Sequence, residues 1–483
     1  MSTKTNYYVT TSIPYINGEP HLGHAMEFIM GDVLARVARK SYDKVLFSIG
    51  TDEHGGKVAE KADELGKTPK QLADEMSDSF RALAQKLAIS NDRFIRTTDA
   101  GHEQRAAFIW KALEKHIYKS KYTGWYDLRQ EEFVPEGQVE EERTNPDHPQ
   151  AYQRLEEENY FFKLSAFSTE ISAAIMQGSF RIIPASRKKE IMSVFKEGLE
   201  DVSISRPKEK ISWGVPVPGD STQVMYVWFE ALMNYITVLG YPEHSDFKTY
   251  WPANVQVIGK DILRFHAAIW PAMLLGLGLP LPKTLYVHGF INIDGKKMSK
   301  SIGNVVAPLD IINKYGVDAF RYYFLRHIPS YDDGDFGWDR FETVYNNELA
   351  NELGNAVNRT VAMIIKYQNG LIGDIPDSEH DVAKYFSELE DCRFDKAIEE
   401  VWQQVRGLNQ YIEEEKPWVL AKNKDEEHLR EVLAYMASCL IEIAELLEPF
   451  MPETSQKIIY IFNTGVVRKM EGTLFPKLDT PSA

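Results

Sequence analysis

The sequence predicts an α/β protein: a doubly wound parallel sheet, interrupted by an inserted connective domain and followed by an all-α helix bundle. Three observations carry this expectation. Strand-like apolar runs alternate with helical periodicity over roughly the first 118 residues and again from residue 255. Between them the texture changes to short strands and acidic, proline-containing loops. From about residue 341 the apolar positions recur at helical spacing with little interruption.

In chain order, residues 7–12 read as a buried strand, and Pro14, Asn17, Gly18 and Pro20 form a turn. A helix begins near His21, with Leu22, Met26, Ile29, Val33 and Val37 on one face. A strand at 44–49 ends at GTDEHG, after which the sequence reads as helical to about residue 118. Such a strand, loop, helix order places ligands at the carboxyl ends of the strands. From Tyr122, GWYDLRQEEFVPEGQ and VEEERTNPDHPQ read as short strands and loops, then helical sequence and a basic segment run to Lys210. Alternation resumes with VQVIGKD at 255–261, a helix with Phe265, Ile269 and Leu274, and the strand TLYVHGFINI. Amphipathic runs at 341–367, 391–414 and 427–447 complete a bundle. The expected division is 1–118, an insertion at 119–215, a return at 216–290, a connecting region at 291–340 and the bundle at 341–483.

At 483 residues the chain is long enough for two to four domains, and 43% hydrophobic with 12% aromatic content suits buried cores. No run of eighteen apolar residues occurs, and MSTKTNYYVTTS lacks a signal-peptide core, so a cytoplasmic protein with no membrane contact is expected. Only Cys392 and Cys439 are present, which excludes a disulfide framework and a Cys-rich zinc knuckle; both read as small core residues. A formal charge of −16 argues against a binder that holds nucleic acid through phosphate neutralisation alone. Local basic surface is still available at Arg187, Lys188 and Lys189, at Arg206, Lys208 and Lys210, and around Arg359 and Lys366, though each cluster reads equally well as ordinary exposed charge.

Two short motifs carry chemistry: HLGH at 21–24 and KMSKS at 297–301. His21 and His24 share one face of a helix start, where backbone amides and the dipole also favour phosphate. A metal site is the rival, but no nearby cysteine or further histidine completes it. Lys297 and Lys300 follow a strand and the turn IDGK, on a loop able to close over a triphosphate; alone they would read as a solvated hairpin. Together, two imidazoles and two ammonium groups supply donors where charge develops on the α-phosphate and on departing pyrophosphate.

These motifs belong to a longer series. TTSIPYINGEPHLGHAMEFIMGDVLAR, GTDEHG, YVWFEALMNYI, VIGKDILRFHAAIWPAMLLGLGLPLP, VHGFINIDGKKMSKSIGNVV, NELGNAVNR and EEEKPWVLAK occur in that order, and the chain resembles the methionyl-tRNA synthetases, class I aminoacyl-tRNA synthetases, over nearly its whole length. The resemblance implies ATP-dependent formation of methionyl-adenylate, then transfer to the 3′-terminal adenosine of tRNA(Met), for translation including initiation. It makes 1–118 and 216–290 the halves of a nucleotide-binding catalytic domain, 291–340 the KMSKS loop and stem-contact region, and 341–483 the anticodon-binding domain.

By the same resemblance Asp52 pairs with the substrate ammonium. Ser12, Ile13, Tyr15, Trp228, Ala231, Leu232, Tyr235 and His266 line the methionine pocket, where aromatic and polarizable groups suit a thioether. Without the resemblance, Trp228 and Tyr235 read equally as a buried helix face. His21, Gly23, His24, Gly259, Asp261, His288, Lys297 and Lys300 face ATP and its Mg2+, with His21, His24, Lys297 and Lys300 catalytic. Asn355, Arg359 and Trp418 would read a CAU anticodon; as sequence alone, Trp418 is as readily a core residue and the other two a surface pair. Glu230 stands where the family more often has aspartate. Asp127 and Gln130 stand near positions that relatives fill with zinc-binding cysteines, so no structural zinc is expected. Leucine, isoleucine and valine enzymes are rivals with longer insertions, a cysteine enzyme would want zinc ligands, and a noncatalytic synthetase-like tRNA-binding protein is the reading from another class. The chain ends soon after the bundle, which favours a monomer.

Overall fold

The structure, a computed structural model, describes residues 5–127, 132–134, 152–297, 303–373, 376, 381–462, 465–467 and 472–478, with the backbone alone at 122, 123, 126, 127, 132–134, 153, 155 and 297. The chain divides into two compact units, one of Met1–Glu19, Ser41–Ala82 and Asn91–Val287, the other of Pro20–Lys40, Leu83–Ser90 and His288–Ala483.

The first unit is built on a six-stranded sheet: β1 (Asn6–Thr11), β2 (Lys44–Thr51), β3 (Arg93–Arg96), β4 (Arg181–Ile183), β5 (Val255–Gly259) and β6 (Thr284–His288), in the order β3-β2-β1-β5-β6-β4. β1 pairs in parallel with both β2 and β5, β2 with β3, and β6 with β4. Parallel strands are covered on both faces, which is why VQVIG is buried at every position and FSIGT at the end of β2 likewise. The order reverses between β1 and β5, the kind of place where open α/β sheets bind ligands. Beside this sheet, Ile117–Asp127 pairs antiparallel with Tyr152–Phe162, with Ile117 opposite Phe162 and Asp127 opposite Tyr152. A continuous apolar core includes Trp110, Phe162, Phe229, Tyr235 and Trp270.

Two strands depart from the sequence expectation. Arg93–Arg96 lies inside the span read as helical to residue 118; RFIR sets two adjacent apolar side chains between two arginines, with no period-2 alternation, and is too short to outweigh its helical flanks. Arg181–Ile183 lies inside the expected insertion yet pairs with β6, so that span does not leave the main sheet entirely. Of the basic clusters, Arg206 is 2% exposed, with its guanidinium 4.3 Å from the Tyr226 ring, and Lys210 pairs with Glu157 at 2.6 Å. Arg206 is therefore not surface charge. In the expected insertion, Phe161 is buried and Tyr160 packs edge-on against Trp110 at 5.6 Å; the side chains of Tyr126, Asp127 and Phe133, and all of Gln130, lie outside the described residues.

The second unit contains α1 (Leu22–Arg39), a small sheet in which Ile291–Ile293 pairs with Lys296–Lys297 and with Gly334–Phe336, and helices α2 (Val317–Arg326), α3 (Asn355–Gln368), α4 (Phe394–Glu415), α5 (Pro417–Asn423) and α6 (Glu426–Leu447). The three amphipathic runs of the sequence correspond to α3 with the helical turns before it, α4 and α6. A fully buried Arg321 ties the unit together. Its guanidinium donates to the carbonyls of Leu87, Pro449 and Phe450 and pairs with Asp32 of α1 at 2.7 Å. Asp32 also accepts from Arg36 at 2.8 Å and from the Ser90 hydroxyl at 2.6 Å. Cys392 and Cys439 are both buried and are not joined in a disulfide. Among the described residues no helix is long and apolar enough to cross a membrane.

Candidate active site

In the first unit, the segment after β1 runs beside the end of β2. The Ile16 amide donates to the Asp52 carbonyl at 3.1 Å and the Asp52 amide to Pro14 at 2.9 Å, while the Ser12 amide donates to Val257 of β5 at 2.9 Å. Ser12, Ile13 and Tyr15 are thereby held alongside Asp52. Gly50 permits this approach, because a Cβ there would meet the Ile95 carbonyl at 2.3 Å and the Ile13 side chain at 3.0 Å. Asp52 is 4% exposed; burial first, then the nearby Glu230 carboxylate, pushes its carboxyl well above the ordinary range. Such a group is poised to gain from an incoming cation. Glu53 turns away from it to meet Arg96 at 2.7 Å.

Residues 226–236 are those expected to wall the pocket. The expected single helix is two short ones, Val227–Ala231 and Asn234–Thr237. Trp228 is half-buried and stacks on Phe265 at 4.2 Å, while Ala231, Leu232 and Tyr235 are buried. His266 sits in a π-helical turn, Phe265–Ile269, and is buried. Its Nδ1 lies 2.9 Å from the Ile262 carbonyl, which only accepts, so Nδ1 carries the proton and Nε2 accepts from the Tyr235 hydroxyl at 2.7 Å. Gly259 is buried at the end of β5 and Asp261 is exposed in the turn that follows.

In the second unit, His21 is the N-cap of α1. Its Nδ1 accepts from the Gly23 amide at 3.2 Å, and the Nδ1 of His24 accepts from the His21 amide at 3.3 Å. A ring nitrogen that accepts carries no proton, so each imidazole holds its proton on Nε2. The rings stack at 3.6 Å. A Cβ on Gly23 would come within 3.1 Å of the His21 ring, which accounts for the glycine. Burial, with the His21 and His288 imidazoles close by, holds His24 well below the ordinary imidazole value, hence neutral. His288 donates from Nδ1 to the Gly289 carbonyl at 2.8 Å and turns Nε2 to Glu27 at 3.0 Å. Glu27 escaped the sequence reading, although it lies three residues beyond His24 on the same helix face. Lys297 is in a short strand with only its backbone described, and Lys300 lies outside the described residues.

In the bundle, Arg359 pairs with Glu413 at 2.7 Å and stands 5.6 Å from the Trp418 ring, which is 37% exposed. Asn355 is exposed one turn earlier on α3. A break at Lys416, in the left-handed region at φ 48°, precedes Pro417 and sets the direction of α5 and its tryptophan. A cavity of about 480 Å³ lies elsewhere in the bundle, among Tyr385, Glu400, Tyr411, Tyr435 and Cys439, and contains none of the predicted residues.

Comparison with known proteins gives this arrangement its family. The family model for class I tRNA synthetases (M) matches residues 7–154 and 145–361, and that for the anticodon-binding domain of tRNA ligases matches 379–476. The chain belongs to the methionyl-tRNA synthetases. It is 39% identical over 478 residues to the methionine–tRNA ligase of Brucella melitensis, covering 95% of this chain and 92% of that one. It is 41% identical over 483 residues to that of Listeria monocytogenes, covering 94% and 72%. Among solved structures, the Mycobacterium tuberculosis methionyl-tRNA synthetase in complex with methionyl-adenylate superposes with a TM-score of 0.88 at 37% identity, covering 95% of this chain and 94% of that one. The activity is that of a methionine–tRNA ligase, an ATP-dependent aminoacyl-tRNA synthetase.

Proposed function

We propose that this chain makes methionyl-adenylate and transfers the methionyl group to tRNA(Met) with the following division of labour. Asp52 receives the ammonium group of methionine. Ser12, Ile13, Tyr15, Trp228, Ala231, Leu232, Tyr235 and His266 enclose its side chain. The carboxylate attacks the α-phosphate of ATP, with His21, His24, Lys297 and Lys300 donating to charge that appears as pyrophosphate leaves. Gly23, Gly259, Asp261 and His288 complete the nucleotide side. The terminal ribose hydroxyl of tRNA then attacks the adenylate, and no protein nucleophile takes part. Positioning and electrostatics supply the rate.

The observation that carries this reading is the hydrogen-bonded run of 12–16 against Asp52, which holds Ile13 and Tyr15 alongside a buried carboxylate. Two imidazoles whose Nδ1 atoms accept backbone amides at a helix start, where the dipole favours anions, support the phosphate assignment. Mg2+ arrives on the nucleotide, where it offsets phosphate charge. The expectation of a zinc-free fold rests on the two buried cysteines. Asn355, Arg359 and Trp418 read the CAU anticodon, and the protein acts as a cytoplasmic monomer.

Exchange of pyrophosphate into ATP, run with each amino acid in turn, tests the assignment. Methionine should drive exchange well above leucine, isoleucine and valine, since a misfit methyl in a shaped pocket costs about 1–3 kcal/mol. Faster exchange with leucine or isoleucine would overturn it.

A further inference from the structure

Three buried titratable side chains that the reaction leaves unassigned meet at Glu230. One of its carboxylate oxygens accepts from His102 Nε2; the other lies 3.3 Å from His54 Nδ1. His102 Nδ1 is 2.7 Å from the Thr237 hydroxyl, and His54 Nε2 is 3.6 Å from Glu103. Glu230, His102 and His54 are 1%, 2% and 3% exposed. They come from three places: the loop after β2, the helix Ala100–Ala112 and the helix Val227–Ala231. The main-chain amide of His54 in turn donates to the Asp52 carboxylate. Glu230 is two residues from Trp228 and next to Ala231.

One carboxylate therefore joins the loop bearing the ammonium partner to the helix bearing the side-chain wall. We propose that Glu230 is a positioning residue, which through His54 and His102 sets the spacing between the ammonium subsite at Asp52 and the side-chain subsite at Trp228. The proposal rests on the assignment of those two residues to the amino-acid pocket.

Energetics favour a positioning role over a stabilising one. Buried ionic clusters are often no more stable than apolar packing of the same volume, whereas breaking one leaves a charge uncompensated. Burial alone would push His54 down, but the Glu230 carboxylate, with Glu103, pushes it up to about 10. Burial alone would push Glu230 up, but His54 and His102 hold it down at about 2. The His54–Glu230 pair is thus charged throughout the neutral range. Asp52 and Glu103 also face His54.

The test is Glu230→Gln in methionine-dependent pyrophosphate exchange with the full chain. The KM for methionine should rise about tenfold, the loss typical of one charge-assisted hydrogen bond, while kcat and the KM for ATP stay within about twofold. Without its carboxylate partner His54 loses its proton at lower pH, so the alkaline rise in methionine KM should begin at lower pH than in the wild type. A methionine KM within about twofold of wild type, or methionine and ATP constants rising together with a fall in thermal stability, would overturn the proposal. Where Glu230→Gln does not fold, Thr237→Val, which removes only the hydroxyl beyond His102, decides: a methionine KM raised about two- to threefold supports the link, and no change refutes it. Wild-type protein inactive with methionine would instead overturn the underlying assignment of the pocket.

Discussion

Replacing Trp418 by alanine separates the two chemical steps. The indole is 37% exposed and carries Arg359 at 5.6 Å, while Arg359 keeps a second hold on Glu413 at 2.7 Å. Truncation therefore removes a partly wet ring, and the penalty in stability should fall well short of the roughly 3–5 kcal/mol of a buried tryptophan. An unstacked anticodon base on that ring is worth about 1–3 kcal/mol. At 1.4 kcal/mol per tenfold this predicts a loss of about 5- to 150-fold in kcat/KM for tRNA charging. Pyrophosphate exchange needs no tRNA and should be unchanged, and Trp418→Phe should restore most of the charging. Charging and exchange that fall in parallel, with an earlier thermal transition, would make Trp418 a packing residue. Charging that does not change would move anticodon reading elsewhere.

Two further substitutions probe the second unit. His24→Ala removes an Nε2–H donor that acts on charge appearing in the transition state, so the exchange rate should fall on the order of a hundredfold with the methionine KM nearly intact; a change confined to methionine affinity would contradict the tautomer argued from the Nδ1 contacts. Arg321→Lys keeps the charge but cannot serve Asp32 and three carbonyls from one planar fork, and should destabilise by about 3–5 kcal/mol, read as an earlier onset of thermal unfolding; an unchanged transition would show that the buried pair is dispensable.

What the sequence made legible follows from how far each signal is local. HLGH announces its own helix start, because the cap, the glycine and both imidazoles lie within four residues. The strands β1, β2 and β5 are readable as runs rich in aromatic, β-branched and other apolar residues. Arg93–Arg96 and Arg181–Ile183 are four and three residues long and gain their strand character from neighbours distant in the chain. The same limit applies at the site. Asp52 and Trp228 were visible through the resemblance, and Glu230 only as a departure from it. That Glu230 joins His54 to His102, across 176 and 128 residues of chain, is a product of the fold alone.

The π-helical stretch Tyr345–Gly354 runs directly into α3, which begins at Asn355. Gly354 would place a Cβ 3.0 Å from the Leu349 carbonyl, five residues back, so the wide turn and the glycine belong together. In an α-helix each residue advances the chain by about 100° around the axis. A single residue added to or removed from this stretch would thus swing Asn355 and Arg359 by more than a quarter turn, while leaving their spacing untouched. Insertion or deletion here acts as an indexing step, and a one-residue change in length between relatives at 345–354 would alter which side chains face an incoming base without altering any of them.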